Sequence, residues 1–111
     1  DGNMTAVTAL FQNIQQPAPT DYFYAGNAYL QLNNPQEAIR QFLQLVAVNK
    51  TNKPTVFEDD TDYFLAMAYL KNGQVKEAES LFEKIHNTTG HRYNDKVNSW
   101  LLWKIKHVGN K

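Results

Sequence analysis

The chain has 111 residues, a formal net charge of zero and no cysteine. Its length is that of one domain with a modest core, and a neutral chain lacks the general electrostatic attraction that draws basic proteins to nucleic acid or anionic membranes. The absence of cysteine excludes disulfides and thiolate metal sites, which suits a reducing cytosol and a bacterial periplasm equally. No run of roughly 18 apolar residues occurs, so we expect no membrane insertion of this segment.

The first predicted helix covers residues 4–16, and Pro17 and Pro19 end its pattern. Its apolar residues share one face at helical spacing. They are Ala6, Val7, Leu10, Phe11 and Ile14. No lysine or arginine precedes Arg40. An uncharged helix of this kind is either an ordinary terminal helix or one partly covered by further sequence.

Two stretches of the chain resemble each other at a constant offset of 40 positions, which indicates an internal repeat. Tyr29 is matched by Tyr69. The other matched positions are Ala28, Leu30, Glu37, Ala38 and Phe42 with Ala68, Leu70, Glu77, Ala78 and Phe82. Each copy contains two helical patterns, which we place in a first repeat (20–48) and a second repeat (61–87). Such a unit buries its apolar face only against neighbours, so we expect the units to stack.

Residues typical of helix ends separate the two helices of each repeat. In the first repeat, Asn34 suits an N-cap and Pro35 suits the first position of a helix that we predict to end at Val48. In the second repeat, Gly73 suits a left-handed C-cap. Gly26 and Ala66 are small residues on the opening helices of the two repeats, and we expect the tightest helix crossings there.

A connector is predicted at residues 49–60, with Val56 and Phe57 as an apolar island. Ile39 and Leu43 form a second apolar face on the preceding helix, whereas their equivalents in the second repeat are glutamates, Glu79 and Glu83. This contrast indicates that something covers the first pair. We expect Val56 and Phe57 to fold back onto it; the alternative is an exposed apolar patch that docks a partner.

The last predicted helix runs from Tyr93 to His107 within a capping segment at 92–108. Its apolar stripe is wide and includes two tryptophans. The stripe comprises Tyr93, Val97, Trp100, Leu101, Leu102, Trp103, Ile105 and Val108. A helix of this kind closes the open end of a stack of repeats.

The repeat resembles the tetratricopeptide pattern of spaced aromatic and small residues. The first copy reads Tyr22-x2-Ala25-Gly26-x2-Tyr29 followed by Ala38-x3-Phe42, and the second reads Leu65-Ala66-x2-Tyr69 followed by Ala78-x3-Phe82. Asp62 replaces the leading aromatic residue in the second copy, and the offset exceeds the family's period of about 34 residues. The resemblance implies an all-α fold: a right-handed stack of about six helices in antiparallel pairs, with a partial leading repeat at 4–16 and a C-terminal capping helix.

The resemblance further implies a protein–protein interaction module that binds an apolar or amphipathic peptide, or a partner helix, on the inner face of the stacked first helices. Matching by spacing assigns eight residues to this face. They are Phe23, Asn27, Leu30 and Gln31 from the first repeat, and Tyr63, Met67, Leu70 and Lys71 from the second. The competing interpretation is that the terminal helix, with Trp100 and Trp103, fills the same groove.

Catalytic and metal sites have no support in the sequence, so we predict neither an enzyme nor a cofactor. His86, His91 and His107 lack the i, i+4 spacing of a zinc pair on a helix. The acidic run at 58–62 lacks the glycine and distal glutamate of a calcium loop, and we interpret it as the acidic first turn of a helix. No basic stripe dense enough for nucleic acid is present.

The terminal segment Tyr93-x3-Val97-x3-Leu101-Leu102-x2-Ile105 also resembles the C-terminal part of tetratricopeptide proteins that are anchored in Bacteroidetes membranes. This resemblance implies a location on the periplasmic side of a bacterial membrane. The sequence is compatible with two alternative functions. One is self-assembly into homo-oligomers, and the other is a regulatory appendage of a larger membrane-anchored protein.

Overall fold

The computed structural model describes residues 2–109, and all regular secondary structure in this part of the chain is helical, as predicted. None of its helices combines the length and the apolar character needed to cross a bilayer. The elements are α1 (Gly2–Gln12), α2 (Pro19–Gln31), α3 (Pro35–Thr51), α4 (Glu58–Lys71), α5 (Val75–Asn87), a 3-10 turn (Asn94–Lys96) and α6 (Ser99–Gly109).

The helices pack in chain order, each against the next. The pairs α2–α3 and α4–α5 make the most extensive contacts and form the two repeats, and α3 packs on α4 to join them. Among the described elements, α1 contacts only α2, and the only helix that α6 contacts is α5. The molecule is therefore a stack of helix pairs with α1 at one end and α6 at the other.

The turn inside each repeat has the same backbone geometry. Asn33 (φ 60°) and Gly73 (φ 80°) follow the first helices in the left-handed conformation, 40 positions apart. In both turns two backbone N–H groups donate back to carbonyls of the last helical turn, the hydrogen bonds of a Schellman motif. Asn34 then accepts a hydrogen bond from the Glu37 amide at 3.4 Å, which confirms it as the N-cap of α3.

Two apolar clusters make the core, one centred on each repeat. Phe42 and Phe82 are fully buried at equivalent positions. The approach of α2 to α3 is so close that a Cβ on Gly26 would lie 2.5 Å from Cε1 of Phe42. The predicted close crossing at Gly26 is confirmed. Tyr69 and Leu81 contact both clusters and connect the two repeats.

Several observed helix bounds differ from the predicted ones. Helix α1 ends at Gln12, α3 continues to Thr51 and α4 begins at Glu58, so the first connector contains only residues 52–57. The last helix begins at Ser99 and not at Tyr93, because Asn98 caps it by accepting the Leu101 amide at 2.9 Å. The residues before it form a loop held by long-range hydrogen bonds.

Candidate interaction surface

The two aromatic residues that were predicted to anchor a peptide are covered by aromatic residues from the loops. Phe23 is buried and its ring is stacked on that of Phe57, with centroids 4.2 Å apart and planes inclined by 20°. Tyr63 is half-buried and is stacked on Tyr93 at 4.6 Å and 10°. Each repeat therefore uses the loop after its second helix to cover the start of its first helix.

The first loop is fixed by polar contacts on both sides of its aromatic residue. The Asn49 side chain, at 5% exposure, accepts the Val56 amide and donates to the Val56 carbonyl, both at 2.9 Å. Phe57 follows in the left-handed conformation (φ 52°), and the Thr61 hydroxyl donates to its carbonyl at 2.6 Å. A phenylalanine in this conformation is strained, so the stacked ring and these hydrogen bonds hold the loop in place.

The prediction that Phe57 folds back is confirmed, but its predicted target is wrong in part. The ring stacks on Phe23 and lies edge-on to Tyr24. Leu43, which it was expected to cover, is 43% exposed. The reason is geometric: α3 extends to Thr51, so the chain turns back beside the start of α2 and leaves Leu43 uncovered.

The second loop, which follows α5, is held by carboxylates in the first turn of α4. The Tyr93 hydroxyl donates to Asp60 at 2.8 Å, and the Arg92 amide donates to Asp59 at 2.9 Å. Burial and the hydrogen bond to Asp60 raise the pKa of Tyr93 to about 12. The acidic first turn was predicted, but its partners lie about 30 residues away, and no local pattern in the sequence identifies them.

Asp59, Asp62 and His91 bring three potential metal ligands together, with their ligand atoms within 4.8 Å of one another. His91 Nδ1 accepts the Tyr93 amide at 3.1 Å, so the proton of a neutral ring is on Nε2, which donates to Asp62 at 3.1 Å. A metal on Nε2 needs the opposite tautomer. Asp62 also pairs with Lys84 at 3.0 Å. These hydrogen bonds assign the cluster a structural role, the attachment of the loop to α4.

The other six predicted surface residues form a band along α2 and α4. Leu30, Met67 and Leu70 are half-buried and pack on the two core clusters. Asn27 is also half-buried and donates its amide to the Phe23 carbonyl at 3.1 Å. Gln31 and Lys71 are exposed at equivalent positions. The accessible part of the predicted surface thus lies toward the C-terminal ends of α2 and α4.

The tryptophans of the terminal helix do not fill this surface. Helix α6 packs on α5 and its backbone approaches neither α2 nor α4, while Leu101, Leu102 and Ile105 share an apolar cluster with Met67 and Leu70. Trp100 and Trp103 are 62% and 50% exposed, and their rings stack on each other with centroids 5.2 Å apart. The interpretation in which these tryptophans occupy the inner groove is therefore wrong. Amphipathic spacing identified them as apolar but carried no information about which neighbour they would meet.

Among the cavities that the described residues line outside the inner face, two differ in character. One, of about 390 Å³, lies between α3, the first connector and α4, where Lys50, Lys53 and Lys84 surround Glu58 and Asp62. The other, of about 260 Å³, is an apolar groove between α1 and α2. The first is polar and its acids offset most of the lysine charge, whereas the second is apolar and open.

Comparison with known families identifies the same two repeats as the structure. Residues 19–52 and residues 63–85 each match a model described as tetratricopeptide repeat, and together they account for about half of the chain. No curated protein and no solved structure matches the chain significantly. Repeats of this family generally mediate protein–protein interactions, and their fold is typically a scaffold without catalytic activity. The first match spans α2 and α3, and the second covers most of α4 and α5. The chain belongs to the tetratricopeptide repeat family.

Proposed function

We propose that the chain binds an apolar or amphipathic peptide, or a partner helix, along the band formed by the C-terminal halves of α2 and α4. This proposal is supported by the equivalent positions of two leucines. Leu30 and Leu70 are 40 positions apart on the first helices of adjacent repeats, and both are half-buried. Asn27 with Met67, and Gln31 with Lys71, repeat the same register. A ligand that crosses both helices meets an apolar centre with polar groups beside it.

Phe23 and Tyr63 have a supporting role in this proposal. Their rings are covered by Phe57 and Tyr93, so they form the floor under the loops and do not contact the ligand. The two stacks fix the N-terminal halves of α2 and α4, and this rigidity keeps the leucine pairs in register. A preorganised surface binds with a lower entropic cost than one that must be ordered.

Charge makes a small contribution to this surface. Lys71 is the only charged residue among the eight candidates. Affinity therefore comes mainly from a few buried apolar side chains of the ligand. Added salt should weaken binding only slightly, because screening acts on exposed charges.

The experiment starts with a displayed library of random peptides selected on the 111-residue chain. A selected peptide is then titrated into isotopically labelled protein, and we expect amide shift changes centred on Asn27, Leu30, Met67 and Leu70. The double variant Leu30→Ala and Leu70→Ala should weaken binding by about tenfold or more, since each removes apolar contact. Leu43→Ala is the matched control on an exposed face and should bind normally. Shift changes confined to α1 or α6, or equal binding by both variants, would contradict the proposal.

A further inference from the structure

The two ends of the stack have complementary structures. Helices α1 and α6 are each 11 residues long, and each packs on a single helix of the described chain. Every internal helix packs on at least two others. Both terminal helices consequently leave apolar residues uncovered, including Leu10 at 68% exposure and Trp100 at 62% exposure.

The N-terminal end carries the apolar groove between α1 and α2, with a volume of about 260 Å³. Its lining is apolar apart from Asp21 and the hydroxyl of Tyr24. The lining residues are Val7, Leu10, Phe11, Ile14, Asp21, Tyr24 and Ala25. Tyr24 is 56% exposed, so an aromatic ring of α2 faces open space beside the groove.

The internal repeat indicates what fits this groove. Tyr24 and Phe64 are equivalent, 40 positions apart. In the second repeat the ring of Phe64 lies edge-on to Phe23 of α2, with centroids 6.1 Å apart. We call the first helix of a repeat a first-type helix and the second a second-type helix. The groove beside Tyr24 thus corresponds to the position that α2, a first-type helix with an aromatic side chain, occupies beside α4.

Helix α6 has the character required of that occupant. It follows a second-type helix, as α4 follows α3, and Ile105 is buried against the core beside α5. Trp100, Trp103 and His107 lie on the opposite side at helical spacing. The rings of Trp103 and His107 have centroids 3.9 Å apart, which extends the tryptophan stack into one aromatic surface.

The charges of the two ends are opposite. Residues 1–39 contain three acidic residues and no lysine or arginine, whereas residues 84–111 contain six basic residues and one acid. Near the proposed contact, Asp21 lines the groove and Lys104 and Lys106 flank the tryptophans. Opposite charges favour contact between the two ends and disfavour contact between two like ends.

We propose that copies of this chain associate head to tail, with α6 of one copy docked in the α1–α2 groove of the next. Each contact then completes a helix pair from the second-type α1 and the first-type α6. The surface is separate from the inner face proposed above. A heterologous contact of this kind leaves one free groove and one free α6, so assembly continues beyond the dimer as concentration rises.

The test measures molar mass by sedimentation velocity across a concentration series, with one variant for each end. Leu10→Glu blocks the groove and Trp103→Glu blocks α6; both residues are at least half exposed, so both variants should fold. We expect the wild type to grow past the dimer and each variant alone to be monomeric. An equimolar mixture of the two variants should form a dimer and stop, because it contains one intact groove and one intact α6.

Leu43→Glu places the same charge on an exposed residue of α3 and should assemble like the wild type. If circular dichroism shows that a variant is unfolded, Ile14→Glu and Trp100→Glu test the same two surfaces. Three outcomes would overturn the proposal: a wild type that is monomeric throughout, a Leu10→Glu variant that still dimerises through two α6 faces, or a mixture that remains monomeric.

Discussion

At the scale of single residues, Gly26 shows how one missing side chain sets the distance between helices. We expect Gly26→Ala to lower the free energy of unfolding by about 1–3 kcal/mol, because the new Cβ would lie 2.5 Å from the Phe42 ring. Urea denaturation measures the change. Gly2→Ala is the matched control, since a Cβ at Gly2 meets nothing within 4 Å. Equal stabilities of the two variants would contradict the close crossing.

Tyr93 is the residue whose contribution to stability depends on pH. Its pKa is raised from 10.0 to about 12, so the native state holds the phenolic proton more tightly than the unfolded state does. The resulting stabilisation is complete below pH 10 and is lost as the pH rises through 12. Tyr93→Phe keeps the ring but removes the hydrogen bond to Asp60, at a cost of about 1 kcal/mol at neutral pH.

The difference in unfolding free energy between the wild type and Tyr93→Phe should therefore shrink as the pH is raised from 8 to 12. Urea titrations at a series of pH values provide this difference directly. Tyr24→Phe is the control. Tyr24 is 56% exposed, so loss of its hydroxyl should change the free energy of unfolding little. A difference that stays constant with pH would show that the Asp60 hydrogen bond does not control the titration of Tyr93.

At the scale of elements, the loops after α3 and α5 perform the same task with different chemistry. The first places Phe57 on Phe23 and is clamped by Asn49, whereas the second places Tyr93 on Tyr63 and is held by carboxylates. The loops differ in sequence and length, yet both cover the start of a first helix. The aromatic stack is thus a property of the repeat unit and extends beyond its helices.

Phe57 provides a test at this scale because two effects oppose each other at one position. Phe57→Ala removes the stack on Phe23 and should cost about 2–3 kcal/mol, somewhat less than truncation of a fully buried phenylalanine. Phe57→Gly loses the same ring but adopts φ 52° without strain, so it should be about 1 kcal/mol more stable than the alanine variant. Chemical denaturation of both variants checks the order, and the reverse order would contradict the left-handed conformation.

At the scale of the whole molecule, stability is distributed unevenly along the stack. The two core clusters share Tyr69 and Leu81, so the repeats should unfold together. Helix α6 packs on α5 alone among the helices and contains both tryptophans. In a linear array of elements, an end element with one neighbour is the first to unfold.

We therefore expect tryptophan fluorescence to change at a lower urea concentration than far-UV circular dichroism does. The control carries Phe64→Trp in a chain whose two natural tryptophans are phenylalanine, so that its fluorescence reports on α4. That probe should follow the circular dichroism transition. Coincident transitions for the wild type would mean that α6 unfolds together with the stack. These measurements belong at low protein concentration, where association between copies does not contribute.

The repeat and its helix pairs could be predicted from the sequence because they depend on short-range spacing. Asn34 and Gly73 act within a few residues of their own positions, through a cap and a turn, and Tyr29 and Tyr69 lie in the seams between neighbouring helices. The constant offset of 40 positions identified the repeat, and the residue types of Asn34 and Gly73 identified the helix ends. Seven of the eight predicted surface residues also lie at exposed or half-buried positions, and only Phe23 is buried.

Only the tertiary structure decided which loop residue covers which helix. Phe57 stacks on Phe23, His91 bonds Asp62, and the tryptophans face away from the core. Each outcome depends on where a helix ends and how the chain then turns, and a shift of three residues at the end of α3 changes the face that its loop reaches. Hydrophobic spacing predicts that a side chain will be buried, because burial of apolar surface is favourable. It does not predict against which residue, because the hydrophobic effect is non-directional. The partner that covers it is selected by distances between segments far apart in the chain, and those distances exist only in the folded molecule.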